Sequence, residues 1–409
     1  MRNPVVVAAA CAVLSFSLAA CGGDARAAGP VVRDSAGIRI VQNEAPAWKE
    51  GQEWTVDAEP VADLGVAEGD THQQFGRVAD ALRLSDGTLL VADEQAQEIR
   101  AFDAEGRHLR TMGRAGGGPG EFQGLMGLHL LPGDTVAAYD YQGPRISFFA
   151  PGGAYVRSVT LQPLDGKVPP RPLGFLPDGR MVVTQLYNPE FQPSTRPTRD
   201  TVTLAVYSAA GAQAASLGRV PGDEVVSVSG SSGQNMIRMT ERPPFGLSTV
   251  FAVRGPGLLV GDPVRYELVE RRPDGAVARL IRRAGAREPV TQADRDAITE
   301  RRREGLTDPR FRQLHEQLIK NTTFPEHKPY FTALGADLAG NTWVQRPSDP
   351  EAATPWDVFD AEGRWLGTVE TPAGLRVTQF GEDFVVGVWS DELDVAHVRV
   401  HRIQKPAAR

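Results

Sequence analysis

The side chains best able to do chemistry in this 409-residue chain are seven histidines, two cysteines, a glycine-rich run and a cluster of arginines. The histidines, His72, His108, His129, His315, His327, His397 and His401, form no H-E-x-x-H pair and no Cys/His grouping. His397 and His401 are four apart, so on a strand they share a face about 13 Å apart, too far for one zinc ion. The run Gly113 to Gly120 lacks the Gly-Lys-Ser/Thr of a phosphate loop and continues into Glu121-Phe122 between strand-like flanks. It reads as a connector. No Gly-x-Ser-x-Gly elbow occurs, and Gly230-Ser231-Ser232-Gly233 reads as a flexible loop, so no catalytic nucleophile is recognised. Arg282-Arg283, Arg287, Arg301 to Arg303, Arg310 and Arg312 gather around one segment, with Glu300, Glu304 and Asp308 as partners. A paired, solvated face is expected there in preference to a docking site.

Cys11 and Cys21 both lie near the front of the chain. Met1-Arg2-Asn3 carries one positive charge, and Pro4 through Ala20 carries none and is rich in Val, Ala and Leu. This is the pattern of an export signal, and it is too short and too dilute in strongly apolar residues for a spanning helix of about 20. Leu18-Ala19-Ala20-Cys21-Gly22-Gly23 resembles the lipobox of bacterial lipoproteins at every position. The alternative is an ordinary cleavable signal with a chance cysteine. The resemblance implies cleavage between Ala20 and Cys21, acylation of Cys21, palmitate included, and a membrane anchor of two or three chains, enough for stable attachment. Gly22 in place of Asp favours the outer membrane of a bacterial envelope, facing periplasm or surface, over the inner membrane. Residues 1–20 are thus expected as signal peptide and 21–36 as a flexible tether. The chain after residue 21 holds no thiol, so burial and backbone pairing must hold the exported domain together.

The net charge of −7 leaves no footprint for nucleic acid. The 43 glycines and 31 prolines, spread along the chain, signal many turns between short elements. Repeats supply the order. Phe102 to Leu109 and Phe359 to Leu366 match at seven of eight places, and strand-like runs ending in a glycine turn recur at Ile99 to Gly106, Ile146 to Gly153, Thr203 to Gly211, Tyr266 to Gly275 and Trp356 to Gly363. Upstream of these lie apolar, β-branched runs at Thr88 to Asp93, Thr135 to Asp140, Arg180 to Gln185, Gly257 to Asp262, Asn341 to Arg346 and Asp383 to Val388. The sixth partner, His397 to Ile403, almost reaches the C-terminus and needs an outer neighbour from elsewhere. Gly37 to Gln42 and Trp54 to Leu64 are the candidates. The expected fold is all-β: a six-bladed β-propeller over residues 37–404, its last blade closed by an N-terminal strand, with 405–409 as a tail. Residues 186–200 and 219–246 read as long surface loops. A small helical insertion, a pair of helices, is expected over 290–320 from the Thr291/Asp294 capping pattern and the apolar spacing. Trp343, Trp356, Trp365 and Trp389 fall on strand runs and are expected between blades.

The order of inner strands (Leu82 to Asp93), outer hairpin (Ile99 to Gly106) and Gly-rich crossover (Gly113 to Phe122) resembles NHL-repeat and TolB-like propellers, and the chain resembles the six-bladed propeller lipoproteins of that group. That resemblance implies fold more than activity. It allows a protein-, peptide- or glycan-binding module of the cell envelope, a calcium-dependent lactonase or other hydrolase with its site in the central channel, or a structural or sensing subunit of an envelope complex. Related lactonases hold calcium through carboxylate and amide oxygens at the axis. Asp93, Asp140 and Asp262 end the second strand of three blades and are expected to be satisfied turn carboxylates. Asp80, nearer the axis, is the better channel candidate for a metal. No other cofactor is expected.

Overall fold

The structure, a computed structural model, describes residues 29–164, 168–186, 194–232, 235–304, 316, 317 and 319–406. The expected signal peptide, the cleavage site at Ala20 and the lipidation site at Cys21 lie outside the described residues. The chain opens with an arm of four strands: β1 (Val31–Ser35), β2 (Ile38–Asn43), β3 (Thr55–Val56) and β4 (Ala62–Leu64). Pairing therefore begins at Val31, inside the stretch expected to be tether.

Six sheets follow. The first holds β5 (Val78–Arg83), β6 (Leu89–Asp93), β7 (Glu98–Phe102) and β8 (His108–Met112); the second holds β9 (Leu125–Leu131), β10 (Thr135–Asp140), β11 (Arg145–Phe149) and β12 (Tyr155–Thr160). The third holds β13 (Arg171–Phe175), β14 (Met181–Leu186), β15 (Thr198–Tyr207), β16 (Gln213–Ser232) and β17 (Asn235–Glu241). The fourth is built on β18 (Val250–Arg254), β19 (Gly257–Gly261), β20 (Glu267–Arg271) and β21 (Val277–Arg283). The fifth comprises β22 (Ala333–Ala336), β23 (Thr342–Gln345), β24 (Thr354–Phe359) and β25 (Trp365–Thr371), and the sixth comprises β26 (Arg376–Phe380), β27 (Phe384–Ser390) and β28 (Ala396–Gln404). Each is an antiparallel meander running outward from its first strand.

The innermost strands touch in the cycle β5, β9, β13, β18, β22, β26 and back to β5. Six apolar clusters fill the seams between neighbouring sheets; Leu90, Ile99, Leu125 and Phe149 pack the first, and Val78, Val91, Val386 and Val398 the last. The fold is a β-propeller. Radial stacking buries both faces of each sheet, which a single twisted sheet cannot do for itself. The five hairpin glycines, Gly106, Gly153, Gly211, Gly275 and Gly363, all adopt φ between 79° and 88°, a region closed to most side chains.

The arm takes a course that the sequence revealed only in part. Residues 54–64 close the sixth sheet as expected: Leu64, Asp63 and Ala62 pair with Val398, Arg399 and Val400, and β3 pairs with Ile403 and Gln404. Gly37 to Gln42, the other candidate, goes elsewhere. There β2 lies parallel to β21 on the outer edge of the fourth sheet, with β1 outside it. A parallel partner needs no hairpin, so sequence proximity to the sixth sheet did not decide its place.

Two further corrections concern the inserts. Residues 219–246, expected as a loop, are mostly hairpin: β16 and β17 pair from Val226 and Glu241 to Ser232 and Asn235. Val226 and Val228 alternate with Ser227 and Ser229 in the sequence, a strand pattern that the Gly/Ser content obscured. Gly230 to Ser232, expected as flexible loop, belong to β16. In the helical insertion, α1 (Gln292–Glu304) forms as expected. Thr291 caps it, accepting from the Asp294 amide at 3.1 Å, while Asp294 accepts from the Thr291 amide at 2.9 Å. Most of the expected second helix, 305–315 and 318, lies outside the described residues.

Candidate functional site

The axis of the ring is a cavity of about 1030 Å³ lined by all six innermost strands. Its wall is mainly apolar: Leu130, Leu173, Phe251, Val253, Leu334 and Val377 come from five of the sheets. Polar side chains are spread along it: His129 on β9, Arg254 at the end of β18, Asp337 after β22, and Arg376 and Gln379 on β26.

Asp80, expected as the channel candidate, is the third residue of β5 and is half-buried, beside the cavity and not among the residues that line it. Its Oδ1 accepts from its neighbour's amide, Ala81 N, at 2.9 Å, and its Oδ2 accepts from Leu128 N of the next sheet at 2.9 Å. Desolvation pushes its carboxyl up to about 6, against the two amides and the positive charges of Arg376 and Arg171. Arg376, the first residue of β26, donates through Nη2 to the carbonyls of Val78 at 2.9 Å and Ala79 at 3.2 Å. Arg171 opens β13, is exposed, and has no hydrogen-bond or ion-pair partner among the described residues. His129 of β9 is pushed down to about 4, first by burial and then by the charge of Arg171, and its ring meets Phe175 edge-on at 5.5 Å. It is therefore a neutral hydrogen-bonding group at ordinary pH.

Asp80 does not fit a hard cation. Calcium takes six to eight oxygens, whereas both oxygens of Asp80 are held by backbone amides and two arginines act on it. Among the described residues no three His, Cys, Asp or Glu side chains converge as metal ligands would.

The other acidic candidates are structural. Asp93, 1% exposed, accepts from the amides of Gly76, Gln95 and Ala96 and faces Arg100 at 3.5 Å. Asp140 repeats this in the second sheet, accepting from the Gln123 and Gln142 amides and facing Arg145 at 3.6 Å. Gln185 takes the place in the third sheet and accepts from Leu164 N. Asp262 instead pairs with Arg199 at 3.0 Å. The recurring side chain ties the crossover entering a sheet to the turn after its second strand.

The described histidines are dispersed, and His315 lies outside the described residues. His397 meets Asp63 at 2.8 Å and His401 meets the Asp57 carbonyl at 2.9 Å, each fastening the arm to β28. His72 stacks on His108 at 3.9 Å. Gly113 to Gly120 joins β8 to β9 and folds on itself through Arg114–Glu121 and the Arg145 guanidinium, a connector as its sequence indicates. Arginines of the basic cluster are paired: Arg282 with Glu267, Arg283 with Asp357, Arg301 with Asp349, Arg302 with Glu241 and Arg303 with Glu300. Trp343, Trp356 and Trp365 are buried, and Trp343 stacks on Phe380 at 4.3 Å across a seam.

The channel-lining Arg254, Arg376 and His129 were not found from sequence. All three lie on innermost strands, which are short and carry Gly or Pro, as in Arg-Pro-Leu-Gly-Phe and Ala-Leu-Gly-Ala. They show no alternation for a pattern argument to use.

No family model matches the chain, and no curated protein matches it in sequence. Among solved structures it is similar to a candidate exported protein of Bacteroides fragilis, at 12% identity and a TM-score of 0.44, covering 90% of this chain and 100% of that one. It is similar also to virginiamycin B lyase of Staphylococcus aureus, at 10% identity and a TM-score of 0.38, covering 86% and 99%. A gluconolactonase of Xanthomonas campestris aligns at 12% identity and a TM-score of 0.39, covering 84% and 96%. The propeller is established by the strand pairing described above, and likeness at this level says nothing of the chemistry.

Proposed function

We propose that the chain is a lipid-anchored propeller of the bacterial cell envelope that binds a protein, peptide or glycan, with the axial channel as the place where the ligand is held. The channel carries this reading: a cavity of about 1030 Å³ lined by all six innermost strands, with apolar side chains interspersed with polar ones such as Arg254, Arg376 and Gln379. Purified full-length protein screened against peptide and glycan arrays tests it, beside Leu334→Trp, which fills the channel from β22. Binding that is lost in Leu334→Trp, with an unchanged melting profile, supports the channel; binding indifferent to it removes the channel as the site. The anchor is tested separately. Cys21→Ala is expected to abolish acyl labelling and release the protein from membranes, and an unchanged membrane fraction would refute anchoring through this residue.

A hydrolase acting at the axis is the second reading. Asp80 favours it, because a carboxyl pushed up to about 6 can carry a proton near neutral pH. A lactone and ester panel run with Asp80→Asn decides it: turnover abolished by the substitution would support the hydrolase, and no turnover by wild-type protein would remove it.

A further inference from the structure

We propose that a second pocket, beside the channel at the start of β22, holds one ring of a neutral glycan, an inference that rests on the proposed binding role and narrows its ligand. The pocket encloses about 250 Å³ between the loop after β17, the segment leading into β22 and the end of β23, below the roughly 300–1,000 Å³ that a drug-sized ligand fills. Gln345 and Ser348 line both this pocket and the axial cavity, so the two adjoin across them. Pro243, Phe245, Pro329 and Pro347 supply apolar walls. Phe245 is held under strain. The turn Pro243–Gly246 is closed by the Gly246 amide donating to the Pro243 carbonyl at 2.9 Å, and Phe245, its third residue, has φ 55°. Glycine is the usual occupant of such a position, and an aromatic residue is costly there. Strain of this kind is kept where a side chain has work to do. Lys328 Nζ lies 5.3 Å over the Phe245 ring, which also borders the pocket.

The polar side chains of the pocket fix the charge of its ligand. Arg242 is paired with Asp223 at 2.7 Å and Arg346 with Glu288 at 3.0 Å, and the Lys328 ammonium over Phe245 is paired with Asp294 at 2.7 Å. Each cation is matched, so the pocket favours neither an anion nor a cation. The Gln345 amide and the Thr332 and Ser348 hydroxyls are different: among the described residues, none of these side chains makes a hydrogen bond. The amide offers two donors and an acceptor, and each hydroxyl offers both roles. Covering them with an apolar side chain would leave them unpaired, at a cost in binding. A pyranose meets both demands, with a face of C–H groups for Phe245 and the prolines and a rim of hydroxyls for Gln345, Thr332 and Ser348. Because Gln345 and Ser348 are shared, the next sugar of the same chain lies at the channel.

Calorimetry on the full-length protein tests this with maltotriose, cellotriose and triacetylchitotriose, against sialyllactose as an anionic glycan and acetyl-Pro-Pro-Phe-amide as an apolar peptide. At least one neutral trisaccharide is expected to bind about tenfold or more tighter than sialyllactose and the peptide. Phe245→Gly is expected to weaken that binding about tenfold or more, with little change in melting temperature because glycine adopts φ 55° freely. Phe245→Tyr is expected to keep most of it. Neutral-glycan binding that is indifferent to Phe245→Gly but lost in Leu334→Trp overturns the side pocket and leaves the channel standing. Sialyllactose or the peptide binding as tightly as the neutral trisaccharides overturns the neutral sugar and leaves the binding role standing. Failure of every neutral trisaccharide to bind overturns the proposal, and the peptide and glycan arrays then decide the binding role separately.

Discussion

Asp80 and His129 sit on neighbouring innermost strands and are shifted in opposite directions by the same cause, the cost of holding charge at a partly desolvated wall. The signs fix the pH dependence. Asp80 has a folded pKa of about 6, above its ordinary 3.8, so its contribution to stability is fully present below 3.8 and is lost as pH rises through 6. His129 has a folded pKa of about 4, below its ordinary 6.5, so its contribution is present above 6.5 and is lost as pH falls through 4. In urea unfolding, the advantage of wild type over Asp80→Asn is expected to shrink between pH 4 and pH 7. For His129→Phe the advantage is expected to shrink in the opposite direction, between pH 6.5 and pH 4. Parallel curves for either pair would contradict the assignment. Asp93 is the residue-scale counterpart with a structural role. Asp93→Ala orphans the amides of Gly76, Arg77, Gln95 and Ala96 and leaves Arg100 without its buried carboxylate partner, and a loss of about 3 kcal/mol is expected in the same assay.

At the scale of elements, the arm between Val31 and Leu64 behaves as an external strap. Asn43, 1% exposed, donates to the carbonyls of Arg282 and Gly363 and accepts from Trp365 N at 2.8 Å, so one side chain joins the fourth sheet to the fifth. Ala47 N and Trp48 N then donate to the carbonyls of Trp365 and Leu366 on β25. The Trp48 ring covers Gly367, where an added Cβ would lie 2.2 Å from it, and packs at a tilt against Trp54 at 5.2 Å, which in turn meets Trp343 at 6.1 Å. Gly367→Val is therefore expected to dislodge the strap, lower the melting temperature and expose the bond after Lys49 to trypsin; unchanged cleavage would refute the packing. The second and third strands of the sheets, such as β10 at Thr135–Asp140, were legible because their β-branched runs end in a glycine or aspartate turn. The strap and the innermost strands were not. The strap is held by backbone pairing and by single residues such as Asn43, whose partners lie hundreds of positions away, and the innermost strands are too short and too crowded at the axis to show a period.

The described residues form a ring closed where β3 and β4 pair with β28, and the channel exists only while it stays closed. Gln379 of β26 bridges this seam like a strand, accepting from Arg83 N at 2.6 Å and donating to the Arg83 carbonyl at 3.2 Å. Removing β28 is expected to leave Val78, Ala81 and Val386 without their cluster partners Val398 and Val400. A chain ending at residue 395 should lose cooperative unfolding and bind a hydrophobic dye, whereas retention of a single sharp transition would show that the seam is dispensable.

The parallel register of Arg39 with Arg279 and the pairing of Leu64 with Val398 also set a timetable for biogenesis. A polypeptide made from its front end exposes the edges of β2 and β4 long before either mate has been synthesised. Until then those edges invite pairing with other nascent chains, the hazard that unpaired strands carry.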